Sequence, residues 1–350
     1  MKKMIIYRLK KGTRINRILQ IRTDFFGKNL FLSVISVLSV CYLSISSCNN
    51  SAPKYTDTPT SGVVKIAVDE TLAPILDSEI STFMALYKDA KVIAKYEPEA
   101  DVFKDMLNDS ASLGIVAREL NENEKAAFTK QVIDPITTKI AIDAIAFIIN
   151  NENTSGQITF PRMKEILSGK MKTWHDADDQ NKLGTIKVVF DNTGSSTARL
   201  VRDSLIAGKI SDWDGVKHNV NWYAMKTNPE VVDYVSKNKD AIGILGVSWI
   251  SDAQDSLTVD FLKKVKVVAL TSNDPRDMEY YKPYQAYIAM KNYPVCRNIY
   301  VINREARTGL GTGFAGYIAG ETGQLIIKKM GLMPATQSVR LIHLQPQNLQ

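Results

Sequence analysis

Short apolar segments alternate with amphipathic segments along most of the chain that follows residue 61. Runs rich in β-branched residues predict strands, and apolar positions spaced three or four residues apart predict helices. The predicted strands are 63–68, 92–96, 113–117, 140–149, 186–190, 241–246, 264–270, 287–290 and 299–302. The predicted helices are 101–107, 121–129, 159–169, 228–237 and 323–330, with two more that begin at 72 and near 198. This alternation predicts an α/β fold with largely parallel pairing and with ligands bound at the carboxyl ends of the strands.

The segment 191–199, Asp-Asn-Thr-Gly-Ser-Ser-Thr-Ala-Arg, is the clearest candidate for a ligand site. It joins a predicted strand to a helix that we expect to begin near Ala198. The first N–H groups of a helix have no partner within it and carry a partial positive charge. The hydroxyls of Ser195, Ser196 and Thr197 can therefore wrap an oxyanion there, with Arg199 adding charge. An ordinary helix N-cap is the alternative, because serine and threonine are favoured at that position in any helix.

Four other candidate positions lie at predicted strand ends or inside a predicted strand, and three of them carry polar side chains. Thr71 and Leu72 lie at a second junction between a strand and a helix, and Arg118 follows a strand at its carboxyl end. Asp143 interrupts the longest apolar run, where an unpaired carboxylate costs several kcal/mol to bury. Its side chain therefore either caps a neighbouring backbone turn or faces a ligand cleft.

The first 47 residues have the pattern of a secretory signal peptide, with a basic leader followed by an apolar run over 30–45. The sequence Ile-Ser-Ser-Cys at 45–48 resembles the lipobox of bacterial lipoproteins, in which the cysteine is lipidated and becomes the first residue of the mature chain. An uncleaved membrane anchor is the alternative, but serines interrupt the apolar run. We therefore expect a lipid on Cys48 and a flexible tether over 48–61, which is rich in Ser, Thr and Pro.

The formal charge of +7 belongs to the leader rather than to the body of the protein. Nine Lys and Arg residues and one acidic residue, Asp24, precede Cys48, so the chain beyond them carries a net charge of about −1. This near balance removes the electrostatic reason to expect a nucleic-acid partner.

Cysteine and histidine usage argues against redox, metal and triad chemistry. Of the three cysteines, only Cys296 lies in the mature body, and we expect it to be a small buried apolar residue. The three histidines have no metal-binding spacing, and Ser195 does not lie in a Gly-x-Ser-x-Gly motif. We expect no cofactor, no metal and no enzymatic activity.

Four motifs follow one another between residues 166 and 334. They are Ile-Leu-Ser-Gly-Lys-Met-Lys-Thr-Trp at 166–174, Gly-Ser-Ser-Thr at 194–197, Tyr-Pro-Val-Cys-Arg-Asn-Ile-Tyr at 293–300, and Gly-Gln at 323–324 followed by Gly-Leu-Met-Pro at 331–334. In this order they resemble the motifs of the phosphate-binding proteins of ABC importers, the PstS-like members of the type II periplasmic binding proteins, in their lipoprotein form.

The resemblance implies two α/β lobes, each a mixed sheet flanked by helices, joined by two crossover strands with an oxyanion in the cleft between them. Lobe 1 would span 62–142 plus 284–345, and lobe 2 would span 143–283. The protein would capture phosphate or a related oxyanion for ABC permease subunits, as a monomer lipid-anchored to a bacterial membrane and facing the periplasm or the exterior. The implied ligand-binding residues are Thr71, Leu72, Arg118, Asp143, Ser195, Ser196, Thr197 and Arg199.

The chain departs from this family at three places. The segment 96–101 is acidic where family members carry a loop rich in glycine and serine, and Asp191 lies where several members have an arginine. Ala117 lies nearest to the position of an aspartate that accepts the proton of hydrogen phosphate in some members. These departures favour an alternative hypothesis. In it, the protein is a surface-anchored sensing or scaffolding lipoprotein of the same fold that has lost phosphate binding. Its acidic segment would then bind a cationic or protein partner.

Overall fold

The computed structural model describes residues 56–206, 221–251 and 256–336, except for the side chains of residues 256 and 257. All the elements below belong to one compact unit that begins at Asp57. The predicted signal peptide, the lipidation site Cys48 and most of the predicted tether lie outside the described residues.

Strands and helices alternate along the described part of the chain. The strands are β1 (Gly62–Asp69), β2 (Ala90–Glu97), β3 (Leu113–Val116), β4 (Ile136–Asn150), β5 (Gln157–Ile158), β6 (Lys187–Phe190), β7 (Trp222–Ala224), β8 (Ala241–Gly246), β9 (Val265–Val267), β10 (Ala269–Thr271), β11 (Tyr280–Tyr281), β12 (Cys296–Asn303) and β13 (Met333–Pro334). The α-helices are α1 (Ala73–Leu86), α2 (Glu99–Leu107), α3 (Glu122–Lys130), α4 (Phe160–Leu167), α5 (Trp174–Ala177), α6 (Ser196–Leu200), α7 (Asn228–Lys237), α8 (Ser256–Lys264), α9 (Gln285–Ala289), α10 (Leu310–Ala319) and α11 (Glu321–Lys329). Shorter helical turns occupy Glu70–Leu72, Val201–Leu205 and Val247–Trp249.

One large mixed sheet organises the fold, with strand order β2-β1-β3-β12-β4-β8-β6-β7 and with β9 and β13 also paired to β4. Pairing is parallel among β1, β2 and β3 and among β6, β7 and β8, whereas β4 and β12 run antiparallel to their neighbours. A small second sheet contains β11, β10 and β5.

Strand β4 belongs to both halves of the large sheet. Its residues up to Ala144 pair with β12 and β13, and its residues from Ile145 pair with β8 and β9. Nearly all of its apolar run is buried, because sheet partners cover its edges and helices cover its faces. The strand therefore carries the chain from one half of the sheet into the other.

Most predicted elements are present at or near the predicted positions. The predicted strands at 92–96, 113–117, 241–246 and 299–302 correspond to β2, β3, β8 and β12. The predicted start of α3 is confirmed as a capping box, in which the side chains of Asn121 and Glu124 each accept from the other residue's backbone N–H. Helix α6 begins at Ser196 rather than near Ala198, because the Ser195 hydroxyl caps it by accepting from the Ala198 N–H.

One predicted strand is wrong, and another is divided. The segment 287–290 belongs to the end of helix α9, where the N–H groups of Ile288 and Met290 donate to carbonyls four residues earlier. An apolar pattern four residues long does not distinguish a strand from one helical turn. The segment 264–270 is divided, because Lys264 ends α8 and Val268 separates β9 from β10, which join different sheets.

The apolar pattern does not predict α10, because this helix contains several glycines, which disfavour helix formation. Gly313 shows why glycine is required there: a Cβ atom would lie 1.9 Å from the carbonyl oxygen of Pro59. The glycine lets the segment that precedes β1 pack directly on the helix.

Among the described residues, no helix combines the length and the apolar character that are needed to cross a membrane. Cys296, expected to be buried, is half-buried, and burial raises the pKa of its thiol to about 12.

Glu79 is an exception to the pairing of buried charges in this fold. Its side chain lies on α1, is fully buried, and has no hydrogen-bond partner for either carboxylate oxygen within the described structure. Burial raises the pKa of Glu79 to about 9. The folded protein therefore keeps this carboxyl group protonated at neutral pH.

We predict that Glu79→Gln stabilises the protein increasingly as the pH rises. The folded state holds a proton that the unfolded state releases above pH 4.5, the ordinary pKa of glutamate, so the wild type loses stability between pH 4.5 and about 9. Glutamine removes this loss. The increase in unfolding free energy that Glu79→Gln causes should therefore be larger at pH 8 than at pH 5, by on the order of 2–4 kcal/mol. Chemical denaturation at both pH values measures it.

Glu122→Gln is the matched control, because Glu122 is exposed on α3. Its effect on stability should be the same at pH 5 and pH 8. An equal effect of Glu79→Gln at the two pH values would contradict the prediction.

Candidate anion-binding site

Two junctions between strands and helices, one from each half of the sheet, meet in the interior of the protein. Thr71 lies in the helical turn between β1 and α1, and Ser196 is the first residue of α6, which follows β6. The two hydroxyl oxygens are 3.1 Å apart, and both residues are fully buried. This contact confirms that the two predicted junctions share one location.

Asp69 holds the junction after β1 in place. Its carboxylate accepts a hydrogen bond from the Thr71 N–H at 3.1 Å, which caps the turn. The Ser196 hydroxyl donates to the other oxygen of the same carboxylate. Asp69 thus fixes the backbone of its own half of the sheet and also binds the opposite half.

Arg297 lies at the centre of the hydroxyl groups. Its Nη1 donates to the Ser196 Oγ at 2.5 Å and to the Thr197 Oγ1 at 3.3 Å, and its Nη2 donates to the Thr71 Oγ1 at 3.1 Å. One guanidinium group therefore contacts three of the hydroxyls that the sequence predicts as ligand donors.

Asp143 positions this guanidinium group. The two residues are direct cross-strand partners on β4 and β12, and the Asp143 Oδ2 accepts from the Arg297 Nε at 2.9 Å and lies 2.8 Å from its Nη2. Gly246 on β8 leaves room for the pair, because a Cβ there would lie 3.0 Å from the Arg297 Nη2. The other carboxylate oxygen of Asp143 accepts from the Ala144 N–H at 2.8 Å.

The electrostatic balance keeps Arg297 charged although the side chain is buried. Burial alone would lower the pKa of Arg297, but Asp143 and Asp69 raise it above the ordinary value for arginine. Burial raises the pKa of Asp143, and the Arg297 guanidinium and the N–H groups of Ala144 and Val247 oppose that rise. A fixed positive charge is thus present beside the hydroxyl groups.

Ser195 has a different set of partners from Ser196 and Thr197. Its hydroxyl donates to the Asp191 Oδ1 at 2.5 Å and accepts from the Ala198 N–H at 3.1 Å, so it is bonded within its own half of the sheet. Asn228 on α7 lies 3.5 Å from the other Asp191 oxygen. Burial raises the pKa of Asp191 to about 8, against the opposing effect of Ser195.

Two more acidic groups lie nearby. Burial and the Glu99 carboxylate raise the pKa of Asp69 to about 6, and burial and Asp69 raise the pKa of Glu70 to about 7. The Glu70 carboxylate accepts from the side-chain amide of Asn192, across the two halves of the sheet. At neutral pH Asp191 is therefore largely protonated and Glu70 partly so, whereas Asp69 stays mostly ionised and contributes negative charge beside Arg297.

Arg199 and Arg118 form a second cluster around Glu99, which is buried at the start of α2. The Arg199 Nε donates to the Glu99 Oε2 at 2.5 Å, and the Arg118 Nε lies 3.9 Å from the same oxygen. Arg118 also binds Glu124 through two contacts of 2.7 Å. The pair of Arg199 and Glu99 joins α6 to α2 and thus links the two halves of the sheet.

The acidic segment at 96–101 differs in structure from the loop that we expect from the sequence. That segment is not a loop, because Glu97 ends β2 and Glu99 begins α2. Both side chains are buried, and Glu97 lies 2.6 Å from Lys95. These two carboxylates therefore bind cations of this chain, and a role of the segment in binding an outside partner stays a prediction.

The structure brings several predicted site residues together and separates others. Thr71, Ser196, Thr197 and Asp143 surround Arg297, and Leu72 is fully buried directly after Thr71. Of the two alternatives for Asp143, the capping of a neighbouring turn is observed, since its carboxylate accepts from the Val247 N–H; that it also faces a ligand cleft stays a prediction. Arg118 and Arg199 lie at Glu99. The ligand-binding roles of all these residues stay predictions.

A family model described as the PBP superfamily domain matches residues 53–322. The chain belongs to the PBP superfamily.

Relatives of this PBP superfamily member include two curated proteins. It is 26% identical over 207 residues, or 59% of each chain, to the phosphate-binding protein PstS of Staphylococcus epidermidis. It is 24% identical over 258 residues, or 73% of this chain and 75% of the relative, to PstS of Staphylococcus saprophyticus. The match to the first of these relatives spans about three fifths of that relative's length.

A solved structure of similar fold is a phosphate-bound substrate-binding protein from Clostridium perfringens. It aligns with a TM-score of 0.64 at 22% sequence identity, covering 79% of this chain and all of the other chain. This PBP superfamily member therefore has the two-lobed type II periplasmic binding protein fold. The lobe boundaries given above stay a prediction.

We predict that the ion pair of Arg297 and Asp143 can be replaced by apolar residues as a pair but not singly. Either Asp143→Leu or Arg297→Met leaves one buried charge without its main partner, which costs about 3–5 kcal/mol of unfolding free energy. The double variant removes both charges and should regain most of that loss. Urea denaturation of the four proteins gives the coupling energy, and additive losses would contradict the prediction.

Proposed function

We propose that this protein is a solute-binding protein that captures phosphate or a related oxyanion between its two lobes and delivers it to an ABC importer. The names of the curated relatives and the phosphate bound in the structure of similar fold support this function. The family membership and the two-lobed fold are consistent with it.

The observation that carries the proposal is the convergence of hydroxyl donors from both lobes on one buried guanidinium group. Thr71 comes from one lobe, Ser196 and Thr197 come from the other, and Arg297 contacts all three. Arginine and hydroxyl groups commonly bind oxyanions by donating charge-assisted hydrogen bonds to them. The donors are also buried, so an anion held there exchanges its hydration shell for fixed protein dipoles.

Binding in this scheme couples to closure of the lobes. An anion between Thr71 and Ser196 takes over hydrogen bonds that these groups now make with each other and with Arg297. Asp143 keeps the guanidinium group in place, and Trp249 donates from its Nε1 to the Thr71 carbonyl oxygen at 3.0 Å, which holds that turn. The ion pair of Arg199 and Glu99 joins the two lobes in the closed arrangement. Closure around a ligand is the usual motion of hinge-bending proteins.

The leader adds the cellular context of the proposal. Signal-peptide cleavage and a lipid on Cys48 would anchor a monomer to a bacterial membrane, facing the periplasm or the exterior, where the permease subunits accept the anion. The protein itself would carry out no chemical conversion.

We predict that wild-type protein binds inorganic phosphate in a calorimetric titration and that Thr71→Val, Ser196→Ala and Thr197→Val each weaken binding. Each variant removes one donor from the site, which costs about tenfold or more in affinity if the bond is charge-assisted. Sulfate and molybdate, titrated in parallel, report the preference among oxyanions.

Thr129→Val is the matched control, because the Thr129 hydroxyl bonds its own helix α3. Its affinity for phosphate should equal that of the wild type. If folded wild-type protein gives no binding heat with any of the three anions, the proposal is refuted.

A second candidate function is sensing or scaffolding by a lipoprotein of this fold that has lost phosphate binding. One observation favours it: Asp69, Asp143 and Asp191 lie around the site, and protein groups already bond the predicted donors. The candidates differ in their response to Ser195→Ala and Thr197→Ala. These changes should weaken anion binding in the first case and leave partner binding intact in the second.

We predict that phosphate affinity falls with rising pH through the titration of Asp191. Burial raises its pKa to about 8, and a bound anion raises it further, so deprotonation above pH 8 opposes binding. The wild type should lose about tenfold in affinity between pH 7 and pH 9 relative to Asp191→Asn, which has no charge to gain.

The quantity to measure at each pH is the ratio of the phosphate affinity of the wild type to that of Asp191→Asn. The titration of phosphate itself affects both affinities equally and cancels in this ratio. Asp69, Glu70 and Arg297 also act on Asp191, and all three are present in both proteins. A ratio that does not change with pH would contradict the prediction.

A further inference from the structure

A cavity of about 480 Å³ lies outside the candidate anion site, between β9 and the segment that leads into α9. This volume is within the range of small-molecule pockets in proteins. Its wall is mainly apolar, from Val247, Ile250, Leu262, Val265, Val267 and Pro283. The proposed capture of an oxyanion makes no use of this cavity.

Two lysines give the cavity a positive charge. Lys266 and Lys282 both line it and are half-buried, and no acidic residue belongs to the described lining. The Lys266 Nζ donates to the Asn151 carbonyl oxygen at 3.3 Å. Within the described structure, neither lysine has a carboxylate within salt-bridge distance, whereas many of the other lysines do. Two cations beside an apolar wall favour a ligand with an anionic head and an apolar body.

The cavity also shares a wall with the candidate anion site. Val247 lines the cavity, and its N–H group faces the Asp143 carboxylate that holds Arg297. Trp249, two residues later, donates to the Thr71 carbonyl oxygen. A ligand in the cavity would therefore pack against the helical turn Val247–Trp249, whose other contacts reach the anion site.

We propose that this cavity binds a small amphipathic carboxylate, with the apolar body against the valine and leucine side chains and the carboxylate between Lys266 and Lys282. This inference does not rest on the proposed function, because a protein that fails to bind phosphate would keep the same cavity. The two lysines set the preference for an anion, and the apolar wall supplies most of the contact area.

The test compares octanoate with 1-octanol by calorimetric titration of the wild-type protein. Octanoate should bind at one site and at least about tenfold more tightly than octanol, because only octanoate offers a charge to the lysines. In the double variant Lys266→Gln with Lys282→Gln, octanoate should bind only as tightly as octanol does. The matched control, Lys130→Gln with Lys263→Gln, removes two exposed lysines outside the lining and should bind octanoate like the wild type.

A second variant tests the apolar wall. Leu262 is 41% exposed, so Leu262→Trp should fold normally. The indole ring should partly fill the cavity and weaken the binding of both octanoate and octanol. Three results would overturn the proposal: no saturable octanoate binding to the wild type, equal affinity for octanoate and octanol, or octanoate affinity that survives loss of both lysines.

Discussion

The buried ion pair of Arg297 and Asp143 is the interaction on which the interior of this protein depends. Two charges out of water cost several kcal/mol each unless they meet with good geometry and further hydrogen bonds. The pair lies where β4 exchanges its sheet partners, and its spare N–H groups reach Thr71, Ser196 and Thr197. The need to satisfy one guanidinium group thus gathers side chains from β12, from β4 and from both strand-to-helix junctions.

Acidic groups set the second constraint. Burial raises the pKa of Asp69, Glu70 and Asp191, and repulsion from a neighbouring carboxylate adds to it: from Glu99 at Asp69, from Asp69 at Glu70, and from both Asp69 and Glu70 at Asp191. Asp191, whose pKa is about 8, is largely protonated at neutral pH and can donate a hydrogen bond as well as accept one, which lowers the negative charge that an anion would meet. Asp191, which departs from the family pattern of an arginine, is turned toward Ser195 and Asn228 rather than toward Arg297.

Local patterns predicted the elements well where the apolar run was long or the cap was specific, as for β4 and for the Asn121 cap of α3. They failed at α10, where glycines serve packing on Pro59 rather than helix propensity. The hydroxyls of the site were predictable because they cap helices. Arg297 was not, since its role depends on a cross-strand register; two opposite charges isolated in two apolar strands were the available signal.

The shared strand β4 has a consequence for how the protein is built. The first half of β4 pairs with β12 and the second half pairs with β8, so β4 is part of the sheet of both lobes. Division of the chain at any single point would therefore leave one lobe without a strand. A fragment that keeps either lobe would expose an unpaired hydrophobic edge, the feature that promotes intermolecular strand addition. Exchange of a whole lobe between proteins would therefore require the same strand to be replaced on both sides at once.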